Sequence, residues 1–372
     1  MNNKKETLKI SLIAIFLGIL LGVVILLVSG KNPFLLFNSF LRGIIGVDLI
    51  KGNGVNLRYF GEFIVTSMPI VLTGLSVGFA YRTGLFNIGA EGQLMVGAMT
   101  SIVVAILVPM PAGIHAIVCV LSGTLAGALW GFIPGFFKSK WNVHEVVICI
   151  MMNYIGMYMV NMLIQRTIYD QVKNQSMAVA STANLPKAGL DKIFPNSDIN
   201  VGILIVIAFV ILIYVILNRT TFGYELKACG KNPNASKYAG INAKRNIVLS
   251  MVIAGALSGI GGALLYLADS GKYLQVLDII APEGFSGISV ALLGMSNPIG
   301  ILFAGLFIGH LTVGGYNMQL FDFAPEVIDM IIAAIIYCGA LSLLFRGIIH
   351  KIQAGKSKKQ TDKANSNLKK EE

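Results

Sequence analysis

The chain is poor in charge. Asp, Glu, Lys and Arg make up 13% of its 372 residues, about half the ~25% of an ordinary soluble domain, which excludes a fold with a charged, water-facing surface all round. Cysteine is scarce. Cys119, Cys149 and Cys338 lie within apolar runs and Cys229 in a polar one, with no paired spacing, so neither a disulfide framework nor a thiolate metal centre is expected. The four histidines, His115, His144, His310 and His350, are scattered and complete no Ser/His/Asp or Cys/His set. Ala354-Gly355-Lys356-Ser357 has the end of a phosphate-binding loop. His350 stands where the earlier glycine is required, and the segment follows an apolar run rather than a strand. We therefore expect no ATP hydrolysis, no catalytic residue and no metal or cofactor in this chain. Acidic residues are few as well, 18 against 29 Lys and Arg, for a net charge of +11. The basic residues fall at the ends of apolar runs, the distribution of a membrane protein, so no nucleic-acid partner is expected.

What the chain has is apolar length. It is 55% hydrophobic with a mean hydropathy of +0.74. Its apolar runs of roughly 20 residues fit spanning helices rather than barrel strands. We expect an all-α polytopic transmembrane bundle of about 8–10 spans with broken or re-entrant segments. It would cover residues 1–346, with a basic, disordered cytoplasmic tail over 347–372. The 41 glycines suit close helix packing.

Taken in order, Lys4, Lys5 and Lys9 flank the run Leu8 to Val28, which reads as an uncleaved first helix with its N-terminus inside. Phe34 to Ile45 is apolar and is placed along the membrane surface. Helix two covers about Glu62 to Ala80. The stretch Thr83 to Val96, TGLFNIGAEGQLMV, sets three glycines around Asn87, Glu91 and Gln93 at the start of an apolar run. Two readings stay open there: an unwound segment lining a pathway at membrane depth, or an ordinary cytoplasmic turn whose Glu91 faces water. Lys138 and Lys140 mark the inner side after helix four. His144 and Glu145, at the mouth of helix five, are expected to be solvated. Asn153, near the middle of that helix, reads as an interhelical hydrogen-bonding group or a pathway residue. The polar stretch Gln165 to Asn200 is placed outside as a docking surface.

Two later interruptions complete the pattern. Gly294-Met295-Ser296-Asn297-Pro298 divides an apolar segment into Phe285–Leu293 and Ile299–Leu311, read as two half-helices or a re-entrant pair, with Asn297 as a further pathway candidate. The last helix, Val327 to Phe345, returns inside. Ala90-Glu91-Gly92 and Pro282-Glu283-Gly284 hint at an internal repeat. This topology places 20 of the 29 basic residues inside, with both termini cytoplasmic.

Arg219 to Arg245 is the longest polar segment between strongly apolar runs, with six basic residues against one acid, Glu225. Gly223 to Cys229 reads as a short helix broken by Asn232-Pro233-Asn234. Asn234 is expected to cap a second helix, Ala235 to Ala239, which Gly240 ends. The result is a compact cytoplasmic knob suited to being gripped by another protein.

Tyr81 to Ala98, Phe222 to Asn242 and Ala291 to Gly309 together resemble the permeases of bacterial ABC importers in the branched-chain amino acid, ribose and nucleoside group, most closely its nucleoside branch. The resemblance covers nearly all of Leu8 to Phe345. It implies a multi-pass subunit of the bacterial cell membrane, in contact with lipid and paired with a second homologous permease. A separate ATP-binding subunit carrying ATP-Mg would energise it, and a substrate-binding lipoprotein would deliver a nucleoside. Carried over by position, Gly223, Gly230 and Gly240 would shape the coupling helices, and Glu225 and Lys227 would make polar contacts with the ATPase. Asn232 and the Ala235 to Ala239 turn would fill its groove. A simple-sugar or branched-chain amino acid permease and an ion-coupled secondary transporter are the competing readings.

Overall fold

The computed structural model describes residues 16–47, 49, 55–269, 271–319, 326–327, 329–334 and 337–338. It forms two compact units, one of residues 36–318 and one joining 1–35 to 319–372. The described part of the second unit includes an apolar helix, α1 (Phe16–Val28). The expected last helix, Val327 to Phe345, lies partly, and the basic tail wholly, outside the described residues.

The larger unit is built from α2 (Phe34–Ile45), α3 (Arg58–Arg82), α4 (Ala90–Leu107), α5 (Ile114–Trp141), α6 (Glu145–Thr167), α7 (Leu190–Ile193), α8 (Gly202–Arg219), α9 (Thr221–Lys231), α10 (Pro233–Tyr238), α11 (Ala243–Tyr266), α12 (Pro282–Leu293) and α13 (Pro298–Gln319). Seven of these, α3, α4, α5, α6, α8, α11 and α13, are long and apolar enough to cross a membrane. The protein is an all-α multi-pass bundle.

Helices α3 and α11 run through the interior, whereas α5 and α8 turn most of their length outward. Their exposed faces are aliphatic, with Leu121, Leu125 and Leu129 on α5 and Leu204, Ile207 and Ile211 on α8, as a lipid-facing surface requires. Glycine sets the spacing of the core. Gly255 and Gly259 of α11 lie directly against backbone atoms of Gly123, Gly127 and Gly131 on α5, and a methyl group on either would overlap the facing helix. Close backbone approach of this kind replaces the hydrophobic drive that lipid does not provide.

Helix α12 differs from the others. With 12 residues it is about 18 Å long, too short to cross a ~30 Å hydrocarbon core. Its first turn meets α3 about midway: the Glu283 carbonyl accepts from Thr73 Oγ1 (3.0 Å), and Thr73 lies nine residues, about 13 Å, from the Arg82 end. At its other end Arg82 Nε donates to the Ser296 carbonyl (2.9 Å). The connection to α13 turns through Met295 (φ 54°) and Ser296 (φ 51°), left-handed conformations that non-glycine residues seldom adopt. The expected pair of half-helices is corrected by α13, which runs 22 residues and is a full span. Only the first member is short, because Pro298 at the helix start and the Asn297 cap launch an uninterrupted apolar run.

At the end of the bundle opposite Arg82, the expected polar docking stretch folds locally. A two-residue hairpin, β1 (Tyr169–Asp170) with β2 (Gln175–Ser176), pairs Tyr169 with Ser176. It is fastened to the strap 271–281 by the Ser176 amide on the Leu274 carbonyl (2.8 Å) and the Val276 amide on the Asn174 carbonyl (3.2 Å).

Candidate functional site: a buried polar cluster and a two-helix knob

Four of the sequence-predicted pathway residues come together. Helix α3 ends at Arg82, the chain turns through Gly84 (φ 77°), and α4 starts at Ala90. Asn87 closes this turn. Its Nδ2 donates to Ser76 Oγ (3.0 Å) and to Gln93 Oε1 (2.9 Å), and Gln93 Nε2 returns a bond to Asn87 Oδ1 (3.2 Å). Asn153 of α6 reaches across: its Oδ1 accepts from the Gly92 amide (3.0 Å), and its Nδ2 donates to the Ile88 carbonyl (3.1 Å) and to Glu91 Oε2 (3.0 Å). Asn87, Glu91, Gln93 and Asn153 are all buried.

The water-facing reading of Glu91 does not hold. Glu91 is 8% exposed and packed against Gly284 in the first turn of α12, where any side chain would overlap it. The two Glu-Gly helix starts that hinted at a repeat are therefore in contact. Inside a bundle such amides are expensive to bury unless paired. Here they satisfy one another, so the cluster fixes the α3–α4 turn and holds one carboxylate beside a half-helix. Asn297 is not part of it. Its exposed side chain caps α13, accepting from the amides of Ile299 (3.0 Å) and Gly300 (3.4 Å). The expectation for the mouth of α6 is corrected in part. Glu145 is not simply solvated but largely covered and paired with Lys138 (2.9 Å); the neighbouring helix end brings a cation within reach.

The polar segment 219–245 folds into α9 and α10, as two short helices. Thr220 caps α9 through the Gly223 amide (3.1 Å). The cap of α10 is Asn232 rather than the expected Asn234, its Oδ1 accepting from the amides of Asn234 (3.0 Å) and Ala235 (3.0 Å). Pro233 takes the first helical position, where its missing N–H costs nothing. Gly240, at φ 78°, ends the helix. Gly223 fits beneath Leu217, and Gly230 seats against Arg82 and Gly84 with no room for a side chain. Glu225 turns inward, its Oε2 accepting from Asn246 Nδ2 of α11 (3.1 Å). Lys227 lines a surface cavity of about 350 Å³ with Tyr224, Ala228 and Lys231. Ala235 and Ala239 are exposed.

The knob therefore bears on the same Arg82–Gly84 turn that grips the α12–α13 junction and leads into Asn87. Sequence reasoning missed Ser76, and it missed Arg82, whose partner Ser296 is remote in the chain. It also missed Tyr224 and Tyr238, 69% and 95% exposed. Two tyrosines in an otherwise charged loop were the available signal.

Residues 59–340 match the family model described as the branched-chain amino acid transport system / permease component. The chain belongs to this family. The permease is 38% identical to the guanosine ABC transporter permease protein NupP of Bacillus subtilis over 347 residues, covering 93% of this chain and 97% of that one. It is 36% identical to the nucleoside ABC transporter permease protein NupB of Lactococcus lactis, covering 98% and 99%. It is 31% identical to the glucose ABC transporter permease protein TsgB13 of Haloferax volcanii, covering 74% of each. No solved structure matches the permease.

Proposed function

We propose that the permease is the membrane-spanning subunit of an ATP-driven importer of nucleosides. The observation that carries this reading is its near-complete alignment with two permeases named for guanosine and nucleoside transport, against a shorter alignment with a glucose permease. The chain performs no covalent chemistry. A separate ATPase subunit binds ATP-Mg and docks on α9 and α10 in the cytoplasm, and the excess of Lys and Arg at the two chain ends supports cytoplasmic termini. A lipoprotein delivers the nucleoside at the opposite end, where the hairpin and the strap lie.

The pathway runs between this chain and a second, homologous permease. The exposed stripe of α6 supports this. Beside the aliphatic Val147, Ile150 and Ile155 it carries Met151, Tyr154 and Tyr158, which put two tyrosine hydroxyls on the mid-section of a spanning helix. ATP-driven movement of the knob is transmitted through Gly230 to the Arg82–Gly84 turn. From there it passes to α12 by the Ser296 bond and to Glu91 by the Asn87 network. Asn87, Glu91, Gln93 and Asn153 thus hold and move the half-helix, and Asn297 sets the start of α13.

Competition decides the substrate. In cells whose labelled guanosine uptake depends on this chain, unlabelled nucleosides compete, while glucose, ribose and leucine do not. Competition by glucose instead supports the monosaccharide reading that the third relative favours.

A further inference from the structure

A cavity of about 290 Å³ lies where α11 ends and α12 begins. Its wall includes Met95 of α4, Tyr266 at the end of α11, Tyr273 and Gln275 of the strap, and Ala281 and Pro282 at the start of α12, with aliphatic side chains between them. Met95 is one helical turn beyond Glu91. The cavity therefore sits beside the first turn of the half-helix, where α12 meets the middle of α3, rather than among the end loops alone.

Three features define what fits. First, no described lining residue is charged. A zwitterionic amino acid or a phosphorylated solute would find no charged side chain in this wall to pair with, the nearby carboxylates Glu91, Asp278 and Glu283 not being among its lining. Second, the polar side-chain groups are two phenols and one primary amide. They offer flat faces for a ring and both a donor and an acceptor for its edge. A monosaccharide, with hydroxyls on every side, calls for more convergent hydrogen-bonding groups than these three. Third, the wall is preformed. The Leu274 amide donates to Ser176 Oγ (3.2 Å), and Asn161 Nδ2 of α6 donates to the Leu277 carbonyl (3.0 Å). Together with the hairpin bonds, these fix the strap on both sides of Gln275.

We propose that this cavity receives the heterocyclic base of a neutral nucleoside, with Tyr266 and Tyr273 supplying ring faces and the Gln275 amide reading the base edge. The volume is at the lower limit of the roughly 300–1,000 Å³ of small-molecule sites. It suits the base, with the sugar left toward the pathway. The proposal rests on the nucleoside reading and adds to it the residues that recognise the base.

The test uses the complete transporter in native membranes. The four native cysteines are buried, whereas Ile279 lines the cavity and is 66% exposed, so a water-soluble maleimide reports on the thiol of Ile279→Cys. Guanosine slows this labelling several-fold; ribose and leucine leave it unchanged. In parallel, Tyr273→Ala raises the KM for guanosine uptake roughly tenfold, the scale of one base–aromatic stack, and Tyr273→Phe recovers most of the loss. Wild-type guanosine uptake combined with unprotected labelling and an unchanged KM in Tyr273→Ala overturns the cavity assignment alone. Wild-type membranes that carry no nucleoside overturn the parent reading instead. Protection by ribose in place of guanosine also overturns the assignment. Should Tyr273→Ala fail to reach the membrane, the labelling of Ile279→Cys decides the question.

Discussion

At the scale of the residue, Asn153 does the most with one side chain. It accepts from Gly92 and donates to Ile88 and Glu91, so Asn153→Ala strands a buried amide and a carboxylate. The expected cost is about 1–3 kcal/mol, read as a lower thermal unfolding midpoint of the purified permease and a loss of uptake. Asn153→Ser, shorter but still polar, recovers part of the loss. At the opposite end, burial pushes the Asp198 carboxyl above its ordinary value, opposed by Lys187 and reinforced by Asp269. A raised folded pKa means that the folded state binds this proton more tightly. The group therefore favours folding most below its unfolded pKa near 4, and that contribution is lost as pH rises through the higher folded value. Asp198→Asn is expected to stabilise the 185–201 loop at neutral pH and to flatten its dependence on acid, as followed by hydrogen exchange. The sequence exposed Asn87, Glu91 and Gln93 because polar letters between glycines stand out at the start of an apolar run. It could not expose Ser76, one of several small hydroxyls on α3 beside Thr66, Ser67 and Thr73, or the position of Asn297, whose capping role depends on where a helix begins.

At the scale of the element, the knob is held by caps and glycines, and each can be removed separately. Asn232→Ala deletes both cap bonds of α10 at a cost of about 1 kcal/mol. Hydrogen exchange at the amides of Asn234 and Ala235 should rise about fivefold, and uptake should fall with membrane insertion intact. Gly230→Val places a branched side chain against Arg82 and Gly84. It should uncouple ATP hydrolysis from uptake in the assembled transporter, whereas Tyr238→Ala, on the exposed side, should weaken docking of the ATPase itself. Two short helices were legible here because Asn-Pro-Asn and Gly punctuate the loop. Which asparagine caps was not, since Asn232 and Asn234 both flank the proline and only the backbone chooses between them. The same limit explains α12 and α13. The interruption at Gly294 to Pro298 is plain in the letters, but the length that follows it depends on Gln319 and its neighbours continuing the helix beyond the apolar segment that the sequence delimited.

At the scale of the whole molecule, low charge and repeated apolar runs made the multi-pass helical class readable before any contact was known. The inward placement of α3 and α11 was less so, because a lipid-facing helix and a buried one are both apolar, and the glycines of outward-turned α5 pack as closely as those of α11. The large unit ties the knob, the 82–89 turn and the half-helix into one continuous chain of contacts, which is what an importer energised from one face requires. The central claim is that this chain carries nucleosides across the membrane at the expense of ATP hydrolysed by a partner. Its most direct test is accumulation of labelled guanosine in cells that lack other nucleoside importers, compared with and without this chain and with and without the ATPase subunit. The account predicts that removal of either one abolishes accumulation while the proton gradient is intact. Accumulation that persists without the ATPase and collapses with the proton gradient would contradict it.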